Sequence, residues 1–418
     1  MAANQSNIAQ LTFPGQVRID RCTVTSANGV QVNLLNAIVG VQVFEDLYGY
    51  TTGKLIVTDA LALTNVLPLQ GTEVLDLSII TPTLNKVYAI TGQFYLYNLS
   101  ERTQDTDKSE SYALGFCTRE AIINVNKTIS RAFAGRIDSL AASLISDERF
   151  LASALPFAIE PTSNSIKYVS NFWSPVKNLN FLAERATSQT DNAASYLFYQ
   201  NRFGLNFKSL SSLYRQQPYQ NFYIDRFTRD ISVPYRDINS EFERALEWGY
   251  VGTAYDYLDM VHNGALSSTA FSYDPVRKNY TTSRFDYLGS FANTSHLNPL
   301  PLFGDRLIVG ADAKIYDIPR DFASFTGWGE QMNVAVVQQR QSLLKQLASN
   351  RIRMVVYGRT DYTVGQKVNL YKYANKPTTA NEVQVLDTEV TGSYLITAIQ
   401  HFITVDRHEC VLELSRDC

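Results

Sequence analysis

Residues 351–418 form a run of short apolar segments cut by Gly, Asn and Pro. They read R-M-V-V-Y-G, then G-Q-K-V-N-L, then T-G-S-Y-L-I-T-A-I-Q-H, then E-C-V-L-E-L-S-R-D. Val/Ile/Leu/Tyr-rich runs of this length, alternating or continuously apolar between turn residues, predict successive antiparallel strands. The same sequence pattern occurs earlier in the chain. Gly71-Thr72-Glu73-Val74-Leu75-Asp76-Leu77 matches Gly365-Gln366-Lys367-Val368-Asn369-Leu370, and Thr91-Gly92-Gln93-Phe94-Tyr95-Leu96 matches Thr391-Gly392-Ser393-Tyr394-Leu395-Ile396. Each copy closes on an apolar run and a charge pair, Arg119-Glu120 in one and Arg416-Asp417 in the other, with a slip of one residue. One β-barrel-like unit is therefore expected twice.

Read in order, the pattern predicts an α+β, β-rich chain: two similar antiparallel β-barrel tube domains with a mixed α+β insertion between and within them. The first tube domain takes residues 1–122. Ile38 to Phe44 is a strand running into Glu45-Asp46-Leu47-Tyr48-Gly49, Gly53 to Asp59 alternates cleanly, and Pro68 and Gly71 punctuate. Asp105 to Glu110, charged between apolar runs, is a hairpin tip. A mixed domain follows over 123–240. Ile137, Leu140, Ala141 and Leu144 recur at helical spacing, and Ser174-Pro175 predicts a helix with Ser as cap and Pro at the first position. Leu179, Leu182, Ala183 and Ala186 mark one face of that helix, and Tyr196 to Phe207 reads as an aromatic hairpin. Ser240-Glu241-Phe242-Glu243 has capping-box spacing and predicts a short helix starting there. The second tube domain is expected to be split, 241–290 and 351–418, with 264–291 returning to strands that open it. Between them, 291–350 is an excursion: a Pro/Gly/Asn-rich loop over 292–330, then an amphipathic helix carrying Val336, Val337, Leu343, Leu344 and Leu347.

Composition narrows the class. A hydrophobic fraction of 45% with 18% charged residues describes an ordered globular chain of several domains. The 25 Tyr and 22 Phe fit strand-rich structure and extensive contact surface. Net charge is −3 and no basic run occurs, which argues against a phosphate-gripping surface. The start M-A-A-N-Q-S-N lacks the features of a signal peptide, and no apolar run is long enough to span a bilayer. Cys22, Cys117, Cys410 and Cys418 show no C-x-x-C spacing and read as reduced, incidental thiols of a protein folded in a cytoplasm.

Candidate chemistry is sparse. Gly49-Tyr50-Thr51-Thr52-Gly53-Lys54-Leu55 is one residue short of a phosphate loop, has Leu where Ser or Thr must meet magnesium, and leads into a strand. His262, His296, His401 and His408 lack paired-ligand spacing; His401 and His408 sit on two strands of one hairpin and are expected as a solvated or hydrogen-bonded pair. Glu45-Asp46, flanked by Phe44 and Tyr48, is the best carboxylate pair for glycosidase-type chemistry. A strand-end turn explains it more simply, and the same holds for Asp59 and Asp274. Asn98 and Asn293 head N-x-S/T triplets, which carry weight only in a secreted chain. No catalytic, cofactor-binding or metal-ligating residue is assigned, and no cofactor is expected.

The motifs F44-E-D-L-Y-G-Y-T-T-G-K-L-I-V-T-D-A, P68-L-Q-G-T-E-V-L-D-L-S-I, F172-W-S-P-V-K-N-L-N-F-L-A-E-R-A, F203-G-L-N-F, G358-R-T-D-Y-T-V-G-Q-K-V-N-L and G392-S-Y-L-I-T-A-I-Q-H together resemble the baseplate hub of contractile-tailed bacteriophages, the torus protein of T-even phages. The match is one of pattern and order along most of the chain, and departs from the family in 292–330. The resemblance implies a non-enzymatic homotrimer whose two tube domains per chain make a pseudo-sixfold ring. Such a ring joins a hexameric tail tube protein to a trimeric central spike, lysozyme-bearing in many phages, and leaves a channel through which DNA passes without specific binding. It also implies baseplate wedge and tape-measure partners, no membrane partner, assembly in the bacterial host cytoplasm, and residence in the virion tail baseplate. A contractile secretion or tailocin particle would use the same hub. The alternatives are a tail-associated cell-wall hydrolase and a glycan-binding module using Tyr-rich surfaces.

Overall fold

The computed structural model describes residues 11–417, apart from 61–62, 67–68, 108, 225–237, 254, 275–277, 303–314, 320–333 and 375–384. Pro68 and most of the 292–330 segment thus lie outside the described residues, as does Cys418. The chain is β-rich, and one thirteen-stranded sheet runs through it.

That sheet contains the expected repeat. In the first unit five strands follow in sequence, Ile38–Asp46, Thr52–Asp59, Val74–Ile80, Ile90–Thr106 and Ser109–Cys117. They lie side by side in the order first, second, fifth, fourth, third, all antiparallel. In the second unit the five are Ala245–Tyr250, Asn350–Tyr357, Lys367–Lys372, Gly392–Thr404 and His408–Arg416. Their spatial order and directions are the same. Even the irregularities correspond: the register of fourth strand against fifth shifts between Leu96 and Asn98 in one unit and between Ile396 and Ala398 in the other. Strand alternation gives each unit its own core. Val41, Val43, Leu55, Val57, Leu75, Leu77, Leu114 and Phe116 fill the first. Ile352, Met354, Val356, Val368, Leu370, Ile399, Leu412 and Leu414 fill the second. Strand pairing among the described residues closes neither unit into a barrel. The first unit's path ends with Arg18–Thr25 and the short Gln31–Asn33, and the second gains Gln220–Ile224, parallel to its third strand.

The second unit differs from the expected split. From 241–290 its sheet takes only Ala245–Tyr250, and its second strand is Asn350–Tyr357. The hairpin Ser267–Asp274/Asn279–Asp286 belongs instead to a separate three-stranded sheet, with Ile315–Pro319 parallel to Ser267–Asp274. A strand therefore interrupts the segment expected as loop. Helix Val334–Ser349 holds the hairpin away from the main sheet: Gln338 donates to the Ser268 carbonyl at 3.0 Å, and Ser342 donates to the Ala265 carbonyl at 2.5 Å. Residues 251–349 are thus inserted between first and second strands of a unit.

The middle region forms as its local signals dictate. Ser174 accepts the Lys177 N–H at 3.3 Å, Pro175 opens the helix Pro175–Arg185, and Leu179, Leu182, Ala183 and Ala186 are buried against helix Ile137–Ser146 and its neighbours. The aromatic hairpin Tyr196–Asn201/Gly204–Ser209 is buried on both faces, and period-two alternation lets it serve two cores. Tyr196, Phe198 and Phe207 pack in the middle region, whereas Leu197 and Tyr199 pack in the second unit. One difference is local. The helical turn is Ile238–Glu241, so Ser240 lies inside it rather than capping a following helix.

Candidate functional site: strand edges and a buried junction

The two units are welded by one ladder. The fourth strand of the second unit pairs antiparallel with the first strand of the first unit, from Ala398 opposite Asp46 to Thr404 opposite Gly40. The equivalent pair of edges has no such partner among the described residues. Gln220–Ile224 meets the edge of the second unit's first strand only at its start, where Tyr223 bridges Arg244 and its N–H bonds the Glu243 carbonyl at 2.8 Å; from Ala245 to Tyr250 that strand pairs with one strand only. In Ile90–Thr106, residues beyond Tyr95 pair with Ser109–Cys117 on one side and with no strand on the other. One fourth-strand edge and one first-strand edge are left open, the two kinds that join within the chain.

Beneath the weld lies a buried polar junction. Glu45 and Asp46, adjacent in sequence, point to opposite faces of their strand and do not form a pair. Glu45 is buried, accepts the Thr363 hydroxyl, and accepts the Val364 N–H at 3.4 Å. Burial raises its pKa, opposed by the nearby Arg202 guanidinium and by the Thr363 and Val364 hydrogen bonds. Arg202 donates to the Tyr88 and Tyr362 carbonyls, both at 3.2 Å, and so ties the hairpin to both units. Asp361 accepts Arg359 at 2.5 Å and the Tyr219 hydroxyl at 2.6 Å. Next to these groups, His401 Nδ1 stands 3.0 Å from His408 Nε2, and the Cys410 thiol lies 3.2 and 3.4 Å from those same two atoms. Burial, then His408 and Arg202, hold His401 well below the ordinary histidine range; burial, then Arg202, push His408 down to about 3. The rings are thus buried rather than solvated.

The remaining candidates sit in turns, strands and helix ends. Asp46 accepts the Tyr48 N–H at 2.6 Å, closing the turn. Asp59 accepts the Leu63 N–H at 2.6 Å and the Tyr112 hydroxyl at 3.4 Å; the Asp274 side chain lies outside the described residues. In the phosphate-loop-like run, Gly53 is a strand residue whose missing Cβ would stand 2.1 Å from the Phe116 ring. His262 ends the helix Tyr257–His262, and His296, stacked on Phe291 at 3.8 Å between centroids, contacts Asp417 at 2.8 Å. The Asn98 side chain accepts the Gly115 N–H at 3.0 Å, and the Asn293 N–H bonds the Ser290 carbonyl. Cys22, Cys117 and Cys410 are free and buried. The site features that sequence reasoning missed are Cys410, signalled by its i, i+2 spacing from His408 on one strand, and Arg202 and Asp361, whose meeting depends on non-local packing.

No helix among the described residues is long and apolar enough to cross a membrane. No family model matches the chain. The fold is that of phage tail proteins. It superposes on the 43 kDa tail protein of prophage MuSo2 from Shewanella oneidensis with a TM-score of 0.57, over 95% of this chain and 98% of that one, at 10% identity. It superposes on the tail protein from Neisseria meningitidis MC58 with a TM-score of 0.53, over 95% and 96%, at 8% identity. In sequence the chain is 22% identical over 406 residues, covering 91% of its length and 90% of the relative's, to the "Probable baseplate hub protein gp334" of Vibrio phage KVP40. The resemblance to phage baseplate hubs thus extends along nearly the whole chain.

Proposed function

We propose that this chain is a structural baseplate hub of a phage tail, acting without enzymatic chemistry as a homotrimeric ring of six similar β units. The observation that carries the reading is the unequal use of equivalent edges. Inside the chain, a fourth strand joins a first strand; the remaining fourth-strand edge beyond Tyr95 and the remaining first-strand edge at Ala245–Tyr250 are open. Open edges are an aggregation liability unless something covers them. Repeating the in-chain junction between chains covers both, and a head-to-tail contact of this kind closes into a ring when its rotation divides the circle. Three chains then supply six units with pseudo-sixfold symmetry.

Each unit serves as a tube domain in this reading, in the virion tail baseplate. One face of the ring docks the hexameric tail tube and the other the trimeric central spike, with wedge and tape-measure proteins around it. A net charge of −3 without basic runs suits a channel through which DNA moves without being held. The resemblance to a baseplate hub in sequence and to tail proteins in fold supports this placement.

Register makes the interface testable. Gln400 opposes Phe44 in the in-chain ladder. The shared topology makes Ser100 the counterpart of Gln400 and Val251 the counterpart of Phe44. The double variant Ser100→Cys/Val251→Cys is expected to form intermolecular disulfides on mild oxidation, giving a ladder that ends at a covalent trimer, whereas each single variant does not. Absence of intermolecular bonds in the soluble, folded double variant would remove the proposed interface.

A further inference from the structure

We propose that His401, His408 and Cys410 form a buried three-donor binding site for one soft or borderline d10 cation, Zn2+ or Cu+, held by His401 Nδ1, His408 Nε2 and the Cys410 thiolate, a fourth position of zinc being left to a water. This goes beyond the hub reading and does not depend on it.

The scaffold sets the three groups. His401 and Cys410 are directly opposed in the antiparallel ladder, and His408 lies two residues from Cys410, so the pleat turns all three to one face. Both strands are also paired on their other sides, by Ile38–Asp46 and Asn350–Tyr357, which fixes the register. The three side chains are buried.

The distances fit an ion. Nitrogen and sulfur ligands at zinc distances and tetrahedral angles stand about 3.3–3.6 Å apart. The three separations here are 3.0, 3.2 and 3.4 Å, so binding needs an outward relaxation of a few tenths of an ångström. The chemistry fits as well. Two imidazoles and a thiolate are the donor set of zinc and copper(I), rather than of the oxygen-preferring cations. The Tyr362 backbone hydrogen-bonds the His401 ring, the kind of contact that fixes a ligating histidine. The charges that act on Cys410 are mixed, with Arg202 opposed by Asp361 and Glu45, so a cation plus a thiolate does not enter a purely positive surrounding. The thiol proton leaves to solvent on binding; Zn2+ binds without a redox step, and copper binds as Cu+ after one-electron reduction of the supplied Cu2+ by thiols of the producing cell.

The test uses the full-length chain produced in defined medium supplemented with Zn2+, Cu2+ or Co2+, purified and analysed for metal. The expected result is about one equivalent of zinc or copper per chain, the elemental analysis distinguishing the two. The cobalt-grown protein is expected to show thiolate-to-cobalt charge transfer and the visible bands of a tetrahedral site. Cys410→Ser and His408→Gln are expected to lower bound metal at least tenfold and abolish the charge-transfer band. If either variant is insoluble, the folded wild-type chain still decides, through its bound metal and its cobalt thiolate band before and after dialysis against a chelator. Soluble wild-type protein with substoichiometric metal and no thiolate-to-cobalt band overturns the proposal, as does a band that persists in Cys410→Ser.

Discussion

Thr81 and Thr360, 279 positions apart, hold each other reciprocally: the Thr81 N–H bonds the Thr360 hydroxyl oxygen at 3.2 Å, and the Thr360 N–H bonds that of Thr81 at 3.0 Å. Both are buried, and they pin the end of a strand in the first unit to a loop of the second. Replacing one hydroxyl strands the other residue's amide away from water. Thr360→Val is therefore expected to destabilise the chain by about 1–3 kcal/mol, read as a lower urea midpoint at unchanged slope. A midpoint equal to wild type would mean the two amides find other partners.

Gly53 sits where the Phe116 ring and the Gln42 carbonyl close over the strand, 2.1 and 2.6 Å from the position a Cβ would take. Gly53→Ala forces the ring or the backbone aside. Overpacking of this kind costs about 1–3 kcal/mol. Thermal unfolding of the variant measures it, and no loss of stability would contradict the packing described.

Ser174 caps its helix through the Lys177 N–H. Removing the hydroxyl in Ser174→Ala is expected to cost about 1 kcal/mol. Because the helix's apolar face fills the middle core, hydrogen exchange should quicken there first; uniform exchange would argue against a local role.

Lys372 donates to Asp387 at 2.7 Å, and the Asp387 carboxylate also accepts the Glu389 N–H at 3.0 Å. The Lys372 bond, against the opposing effect of burial, holds this carboxyl below its ordinary range. A depressed folded pKa contributes stability that is complete above the unfolded carboxylate pKa and is lost as pH falls through the folded one. Asp387→Asn is therefore expected to lower stability by at most about 1 kcal/mol near neutral pH and to flatten the acid limb of the stability curve. An unchanged acid limb would contradict this.

What the sequence makes legible here is local. Alternation marks Thr52–Asp59, and Ser174-Pro175 marks a helix start, because those signals concern neighbours in the chain. The repeated third, fourth and fifth strands are legible for the same reason, their glycines and apolar positions recurring in order. Partner choice is not. Apolar periodicity says which face of Asn350–Tyr357 is buried, but not that it completes a unit begun at Ala245, because register is set by non-local packing. The hairpin around Ser267–Asp286 shows the converse, strands correctly expected but built into another sheet. His401 and His408 come together through their hairpin, and the His408-x-Cys410 spacing puts the thiol on the same strand face, a local signal.

The most direct measurement is the native mass of the purified chain over a range of concentrations. The ring account predicts a trimer that persists on dilution, with negative-stain images showing a ring open at its centre. A compact monomer at every concentration would contradict it, leaving the open edges at Ala245–Tyr250 and beyond Tyr95 without the role assigned to them.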